Sequence, residues 1–124
     1  MNWSVLISAL IMVESGGDDK AVGDAGLSVG CLQIQPALIE DVNRWYGTQY
    51  KPEHRISRGV SEMICKRWLT RRMKDASNAT GLPQDYEMAA RLWNGGYRGY
   101  LRNRKATDGY WSRVRRYLDK EKKK

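Results

Sequence analysis

The sequence predicts a mainly α-helical, single-domain fold over residues 1–124, with about five to six helices and at most a small β element near residues 27–34. Three observations support this prediction. Apolar residues recur at helical spacing in several stretches, and no stretch shows the alternating polarity of a β-hairpin. A chain of 124 residues can also bury roughly two-thirds of its unfolded surface around one core. One domain is therefore the default organisation.

The first predicted helix covers residues 3–14. Its apolar residues, from Val5 to Val13, surround almost the whole helix, which is typical of a helix that is buried rather than amphipathic. Residues 15–30 are rich in Gly and Asp, and this composition predicts a loop. The segment "VGCLQI", which follows, is the candidate for the small β element.

Four more helices are predicted along the rest of the chain. Pro36 suits the first position of the second helix, and Gly47 ends it. The third, over residues 58–75, has an apolar stripe at i, i+4 and i+8, and "SNATGLPQ" breaks it. The stretch "QDYEMAARLW" predicts the fourth helix, which "NGG" ends. The stretch "DGYWSRVRRYLDK" predicts the last helix, with Asp108 as its candidate N-cap.

The formal charge of +8 is concentrated at the C-terminal end of the chain. Residues 101–124, which we expect to form a basic helix and tail, hold ten Lys or Arg against three acids. Such a segment favours anionic partners such as nucleic acid, phospholipid headgroups or an acidic bacterial wall. The alternative is that "KEKKK" is only a solvated helix end.

The two cysteines, Cys31 and Cys65, are too few for a disulfide framework and lack the spacing of a zinc site. We expect no metal and no organic cofactor, while a disulfide and two buried free thiols both stay open. The apolar N-terminal stretch lacks preceding basic residues and is too short to cross a bilayer, so neither a signal peptide nor a membrane span is predicted.

Glu14 is the candidate catalytic residue. It ends an apolar helix, so one side of its carboxyl group is expected to face a low dielectric, and it lies at the negative end of the helix dipole. Both effects favour the neutral form that a general acid needs. Gly16 and Gly17 leave room for a ligand next to it, although they also fit a plain helix C-cap. The alternative is that Glu14 simply emerges into water.

Two motifs resemble the family of goose-type lysozymes and soluble lytic transglycosylases. The pair "ES", followed by "GDAGLSVGCLQI", is similar to that family's Glu-Ser pair, glycine-bearing loop and Gly-x-x-Gln. The segment "AARLWNGG", at residues 89–96, is similar to its Ala-Tyr-Asn-x-Gly element. The resemblance covers residues 5–100. It implies a lysozyme-like domain and a bacteriophage member of the family.

The resemblance also implies roles for individual residues. Glu14 would be the general acid that protonates the glycosidic oxygen, and Ser15 the small polar residue that follows it. Gln33 and Asn94 would be amides that line the sugar cleft, where they can donate and accept hydrogen bonds. Trp93 stands where the family has Tyr, so it keeps an aromatic platform without the hydroxyl; packing in the core is its alternative role.

Asp24 is the residue that distinguishes hydrolysis from transglycosylation. The loop "GDAGLSVGCLQ" is similar to the goose-type pattern and places Asp24 on the residue that positions the attacking water, which implies inverting hydrolysis. Two departures weaken this part of the resemblance: Gln35 stands where that branch has an acid, and its Glu-to-Asp interval is longer. A lytic transglycosylase that gives 1,6-anhydro products is therefore the alternative.

These inferences together predict a muramidase that cleaves the β-1,4 bond between N-acetylmuramic acid and N-acetylglucosamine in peptidoglycan. Its partners would be peptidoglycan glycan strands, with no nucleic acid, and the chain would be a monomer. Without a signal peptide, it would be made in the cytoplasm and reach the wall by lysis or on a virion. The alternative of another class is a non-catalytic basic module that binds nucleic acid or wall polymer.

Overall fold

The computed structural model describes residues 1–122, so Lys123 and Lys124 of the predicted basic tail lie outside the described residues. Within that range the chain forms five α-helices and one antiparallel sheet of two strands, which confirms the mainly α prediction. The helices are α1 (Trp3–Ser15), α2 (Pro36–Tyr46), α3 (Arg58–Thr80), α4 (Tyr86–Arg102) and α5 (Asp108–Lys122), and the strands are β1 (Val22–Gly23) and β2 (Ser28–Val29).

The small β element begins earlier than the sequence predicts. Val22 pairs with Val29 and Gly23 with Ser28, and an isolated bridge joins Val29 to Ile34. The predicted range near residues 27–34 therefore contains the second strand and the bridge, but not the first strand. A two-residue strand is too short to show alternating polarity, so no sequence pattern marks β1.

The chain divides into two compact units. The central unit is Glu14–Trp68, and the terminal unit combines Met1–Val13 with the chain from Leu69 onward. The organisation as a single domain stays a prediction. None of the described helices is both long enough and apolar enough to span a membrane.

Each unit has its own set of buried apolar side chains. Those of the central unit are Cys31, Leu32, Ile34, Ile39, Val42, Ile64, Cys65 and Trp68. In the terminal unit, α1 buries five residues, whereas Met12, predicted to be buried, is 41% exposed. The buried set of this unit comprises Leu6, Ile7, Ala9, Leu10, Ile11, Leu69, Met73, Ala76, Met88, Ala89, Ala90, Leu92, Tyr100, Tyr110, Val114 and Leu118.

The helix boundaries follow local chemistry. α2 starts at Pro36 and ends before Gly47, whose φ of 67° is the left-handed conformation that glycine adopts without a steric penalty. α3 runs five residues beyond its predicted end, because "SNAT" continues the helix and Gly81, with φ of 73°, ends it. Asp85 caps α4 by accepting a hydrogen bond from the amide of Met88.

Two adjacent glycines shape the end of the "NGG" segment. Gly96 has φ 74° and ψ 173°, which interrupts the helical geometry within α4 without ending the element. A Cβ on Gly95 would lie 2.8 Å from Cγ2 of Thr107, so a larger residue could not fit without movement of its neighbour. The segment therefore kinks α4 and admits the close approach of the short 3₁₀ segment Arg104–Thr107, rather than ending the helix as predicted.

Asp108 is the first residue of α5, and its carboxylate pairs with Arg91 at 2.7 Å. The same Nη1 of Arg91 donates to the carbonyl oxygen of Arg104 at 2.8 Å and to Oγ1 of Thr107 at 3.2 Å. Arg91 thus joins α4 to the segment that leads into α5. The sequence alone suggested a helix cap at Asp108 and did not identify this ion pair.

Candidate functional site

The loop that follows α1 is anchored by Ser15. Its hydroxyl donates to the carbonyl oxygen of Cys31 at 2.9 Å and accepts from the amides of Gly17 and Asp18 at 3.2 and 3.1 Å. A side-chain oxygen that binds two free amides stabilises a tight turn after a helix. Ser15 therefore fixes the backbone directly after Glu14.

Glu14 is half-buried in the last turn of α1, beside a buried thiol. The pKa of Cys65 is raised well above its usual value, first by burial and then by the nearby Cys31 and the carboxylate of Glu14. The carboxylate of Glu14 is therefore close enough to Cys65, on α3, to affect it electrostatically. The predicted role of Glu14 as a general acid stays a prediction.

The acids of the loop have separate structural roles. Asp18 accepts a hydrogen bond from the amide of Lys20 at 2.9 Å, which is an Asx turn. Asp19 forms an ion pair of 2.8 Å with Arg58, and Arg58 also donates to the carbonyl oxygen of Gly17. These contacts tie the loop to the first turn of α3.

Asp24 lies at the exposed tip between β1 and β2, in the left-handed backbone region with φ of 50°. Its Oδ2 accepts a hydrogen bond from the hydroxyl of the buried Ser28 at 2.5 Å, and Nε2 of Gln35 lies 3.5 Å from the same oxygen. Gln35, which stands where the goose-type branch has an acid, is thus a partner of Asp24. These bonds orient the Asp24 carboxylate within the hairpin.

Gln33 closes the hairpin from within. Its Nε2 donates to the carbonyl oxygens of Ala21 and Gly30 at 3.1 and 3.0 Å, so both N–H groups of the amide are used inside the central unit. A Cβ on Gly23 would collide with Oε1 of Gln33, so a larger residue there would require the Gln33 side chain to shift. Its predicted cleft-lining role as a hydrogen-bond donor would require these bonds to break; the role stays a prediction.

The remaining predicted site residues belong to the terminal unit. Trp93 is half-buried and Asn94 is exposed, both on α4 just before the kink at Gly96. Glu14, Ser15, Asp24 and Gln33 all belong to the central unit. The central unit brings these four residues into one loop and hairpin, while the roles implied for Trp93 and Asn94 stay predictions.

Arg55 is the important residue of this region that sequence analysis did not identify. Only 8% of its surface is exposed, and its guanidinium donates to the carbonyl oxygens of Pro52, Leu27 and Ile34, each at 2.8 Å. It therefore joins the segments that precede and follow β2. A lone arginine in a Pro-containing loop gives no periodic signal, so nothing in the sequence marks it as buried.

The two cysteines are buried free thiols, which decides between the alternatives left open by the sequence. Burial raises the pKa of Cys31 to about 11, and both thiols are therefore protonated and weakly nucleophilic near neutral pH. Residues 1–122 contain no group of three or more His, Cys, Asp or Glu side chains that could hold a metal ion.

The hairpin also presents apolar side chains to solvent. Val22 and Leu27 are 67% and 56% exposed, and Ile56, next to Arg55, is 53% exposed. We call Val22, Leu27 and Ile56 the hairpin patch. The hydrogen bonds of Arg55 to Leu27 and of Gln33 to Ala21 fix the backbone next to these side chains.

One solved structure is similar to this chain over most of its length. The similarity is to one chain of the crystal structure of Aeromonas hydrophila PliI in complex with Meretrix lusoria lysozyme, with a TM-score of 0.65 and 29% sequence identity. It covers 90% of this chain and 87% of that chain. No family model matches the sequence, and no curated protein matches it.

This comparison corrects the functional prediction. It relates the chain to a complex between a lysozyme and PliI, a lysozyme inhibitor, and contradicts its assignment as a peptidoglycan-cleaving glycoside hydrolase, whether muramidase or lytic transglycosylase. The similarity also gives no support to the goose-type family, so that resemblance stays a prediction. The matched structure is a protein–protein complex that contains a lysozyme.

Proposed function

We propose that this chain acts through a protein–protein complex of the kind that PliI forms with lysozyme. The observation that carries the proposal is the similarity, over 90% of the chain, to one chain of that complex. The proposal replaces cleavage of the glycan strand with recognition of a protein partner. It keeps a link to the cell wall, because lysozyme acts on peptidoglycan. We also propose that the protein reaches the bacterial cell wall by lysis or as part of a virion.

We further infer that the hairpin patch is part of the interface. Val22, Leu27 and Ile56 expose apolar surface, and removal of such surface from water favours association. Their backbone is held by the bonds of Arg55, so binding would cost little ordering entropy. A rigid apolar patch with Asp24 at its tip suits a protein surface better than a flexible polymer.

Binding and turnover must be measured side by side to test this proposal. The chain is titrated by calorimetry with Meretrix lusoria lysozyme in one experiment and with Aeromonas hydrophila PliI in another. We expect binding in one of the two titrations. Binding of lysozyme with a reduced rate of wall clearance would support a role of this chain as a lysozyme inhibitor. Binding of PliI would support the complex but overturn that role. The proposed complex would be wrong if neither protein bound at concentrations up to about 100 μM.

A third arm addresses catalysis by the chain itself. The chain alone is incubated with purified peptidoglycan, and the released products are examined for new reducing or anhydro ends. We expect none. Product release that Glu14→Gln abolishes, with folding unchanged, would overturn the non-catalytic proposal and reinstate Glu14 as an acid.

A further inference from the structure

The exposed face of α5 carries a row of three cations. Arg113, Arg116 and Lys120 are all exposed, and their spacing of i, i+3 and i+7 places them along one face of the helix. None of the ion pairs found within residues 1–122 involves these side chains. We call Arg113, Arg116 and Lys120 the basic stripe. Its charges are therefore available to an anionic partner.

A groove of about 400 Å³ lies beside the basic stripe, between α1 and α5. Its lining includes the apolar side chains of Val5, Ala9 and Met12 from α1 and the ring of Tyr117 from α5. Lys120 belongs to both the groove and the stripe, and its ammonium lies over the Tyr117 ring, 5.1 Å from the centroid. All of these residues belong to the terminal unit. An apolar recess and a row of cations therefore adjoin on one compact unit.

Two acids flank Lys120 in the sequence but lie outside the basic stripe. A helix turns by about 100° per residue, so Asp119 and Glu121 project from other sides of α5. Glu121 lines the groove and would repel an anionic group placed there. An anionic group on the stripe would instead meet three cations. The surface therefore favours apolar groups in the groove and anionic groups beside it.

The occupant must present a row of anionic groups next to apolar side chains. A nucleic acid has the row of phosphates but no aliphatic side chains, and its bases need exposed rings for stacking, whereas Tyr110 is buried and Lys120 lies over the Tyr117 ring. A bilayer presents a broad surface that cannot enter a recess between two helices. An amphipathic helix with acids beside its apolar face has both kinds of group in the required arrangement.

We propose that the groove between α1 and α5 binds an acidic amphipathic helix of a partner protein. The partner's apolar side chains lie against Val5, Met12 and Tyr117, and its carboxylates pair with the basic stripe. Met12 is 41% exposed, and removal of its apolar surface from water favours the complex. The hairpin patch belongs to the central unit, so this is a second interaction surface, and it does not rest on the proposed function.

Calorimetry with three synthetic peptides tests the proposal. The probe is acetyl-LEELLAELEELLAE-amide, and the two controls replace every Glu of the probe by Gln or every Leu by Ser. We expect the probe to bind at least tenfold more tightly than either control, and its binding to weaken as salt is added, because salt screens exposed charges. Equal binding of the probe and a control, or no binding of the probe, would overturn the proposal. Tighter binding of oligothymidylate or of phosphatidylglycerol vesicles would also overturn it.

Removal of the basic stripe should weaken binding of the probe at least tenfold. The variant combines Arg113→Gln, Arg116→Gln and Lys120→Gln in one chain. The matched control removes three other exposed cations of the terminal unit, through Lys74→Gln, Arg98→Gln and Arg102→Gln. We expect the control to keep most of the affinity, because its cations lie outside the stripe and the groove lining. Equal weakening in both chains would show that only overall charge matters, which would contradict the assigned surface.

Met12→Ser tests the groove separately from the charges. It should weaken binding of the probe at least threefold, because it removes apolar surface that the partner covers. Met63→Ser is the matched control, since Met63 is 46% exposed on α3 of the central unit, and it should leave binding unchanged. Urea unfolding of every variant identifies any loss of folding. Unchanged binding in a folded Met12→Ser chain would remove the groove from the site.

Discussion

Arg55 donates a hydrogen bond from Nη1 to the carbonyl oxygen of Ile34 at 2.8 Å, in the interior of the central unit. The same nitrogen donates to the carbonyl of Leu27, so a single cation joins the segments that precede and follow β2. Buried backbone carbonyls need such partners, because each one left unsatisfied costs about 1–3 kcal/mol. The rigidity of the hairpin patch depends on this contact.

Arg55→Met should lower the free energy of unfolding by about 2–4 kcal/mol, because it removes the guanidinium hydrogen bonds to the carbonyl oxygens of Leu27, Ile34 and Pro52. Urea unfolding at pH 7 measures the change. Arg44→Met is the control, since the exposed Arg44–Asp41 ion pair contributes no more than about 1 kcal/mol. Similar losses in both variants would contradict a special role for Arg55.

Gly30→Ala should be more destabilising than Gly26→Ala by about 2 kcal/mol or more. Both glycines have positive φ, 92° and 95°, and share that backbone strain. A Cβ on Gly30 would also collide with the carbonyl oxygen of Arg55, whereas one on Gly26 meets no atom within 4 Å. Denaturant titrations of both variants measure the two losses in the free energy of unfolding. The difference between them reports the cost of the collision, because the backbone strain is common to both. Equal effects would show that the close approach at Gly30 carries no cost.

The thiol of Cys31 predicts a loss of stability at alkaline pH. Its pKa is about 11 in the folded chain, against a model-compound value of 9.0. Because folding raises the pKa, the stabilisation that comes from keeping the Cys31 thiol protonated is fully present below pH 9. It is lost as the pH rises from about 9 to 11. Urea midpoints at pH 8, 9.5 and 10.5 test this. Cys31→Ala should show a shallower decline, and an identical pH profile would contradict the prediction.

A double-mutant experiment tests the contact at the kink of α4. Gly95→Ala places a methyl group against Cγ2 of Thr107 and should cost about 1–3 kcal/mol. In a Thr107→Ser background the opposing methyl is absent while the hydroxyl that bonds Arg104 is retained, so the cost of Gly95→Ala should fall by about half or more. Strict additivity of the two changes would exclude steric contact as the cause.

Leu27→Ser tests the hairpin patch. If the patch is part of the interface, the substitution should weaken binding of the partner in calorimetry about tenfold or more while the urea midpoint changes little. Leu101→Ser, at an exposed leucine of the terminal unit, is the matched control and should leave binding unchanged. Weakening by both variants to the same extent would remove the hairpin patch from the interface.

The sequence by itself determined the helical class of the fold and most helix positions. The apolar composition of α1, the apolar stripe of α3, and Pro36 and Gly47 around α2 are local signals, because helix periodicity and end conformations depend on residues a few positions apart. Such signals also placed Glu14 at the end of a buried helix. They could not establish what that position does.

Tertiary structure alone decided the contacts that join distant parts of the chain. Arg55 reaches Leu27 across 28 positions, and Gly95 lies against Thr107 across a change of element. The amide of Gln33 donates to two carbonyl oxygens around its own hairpin, Ala21 and Gly30, and no local pattern in the sequence identifies these acceptors. A side chain's partner depends on which backbone groups the fold leaves unsatisfied, and those groups are defined only after distant segments meet.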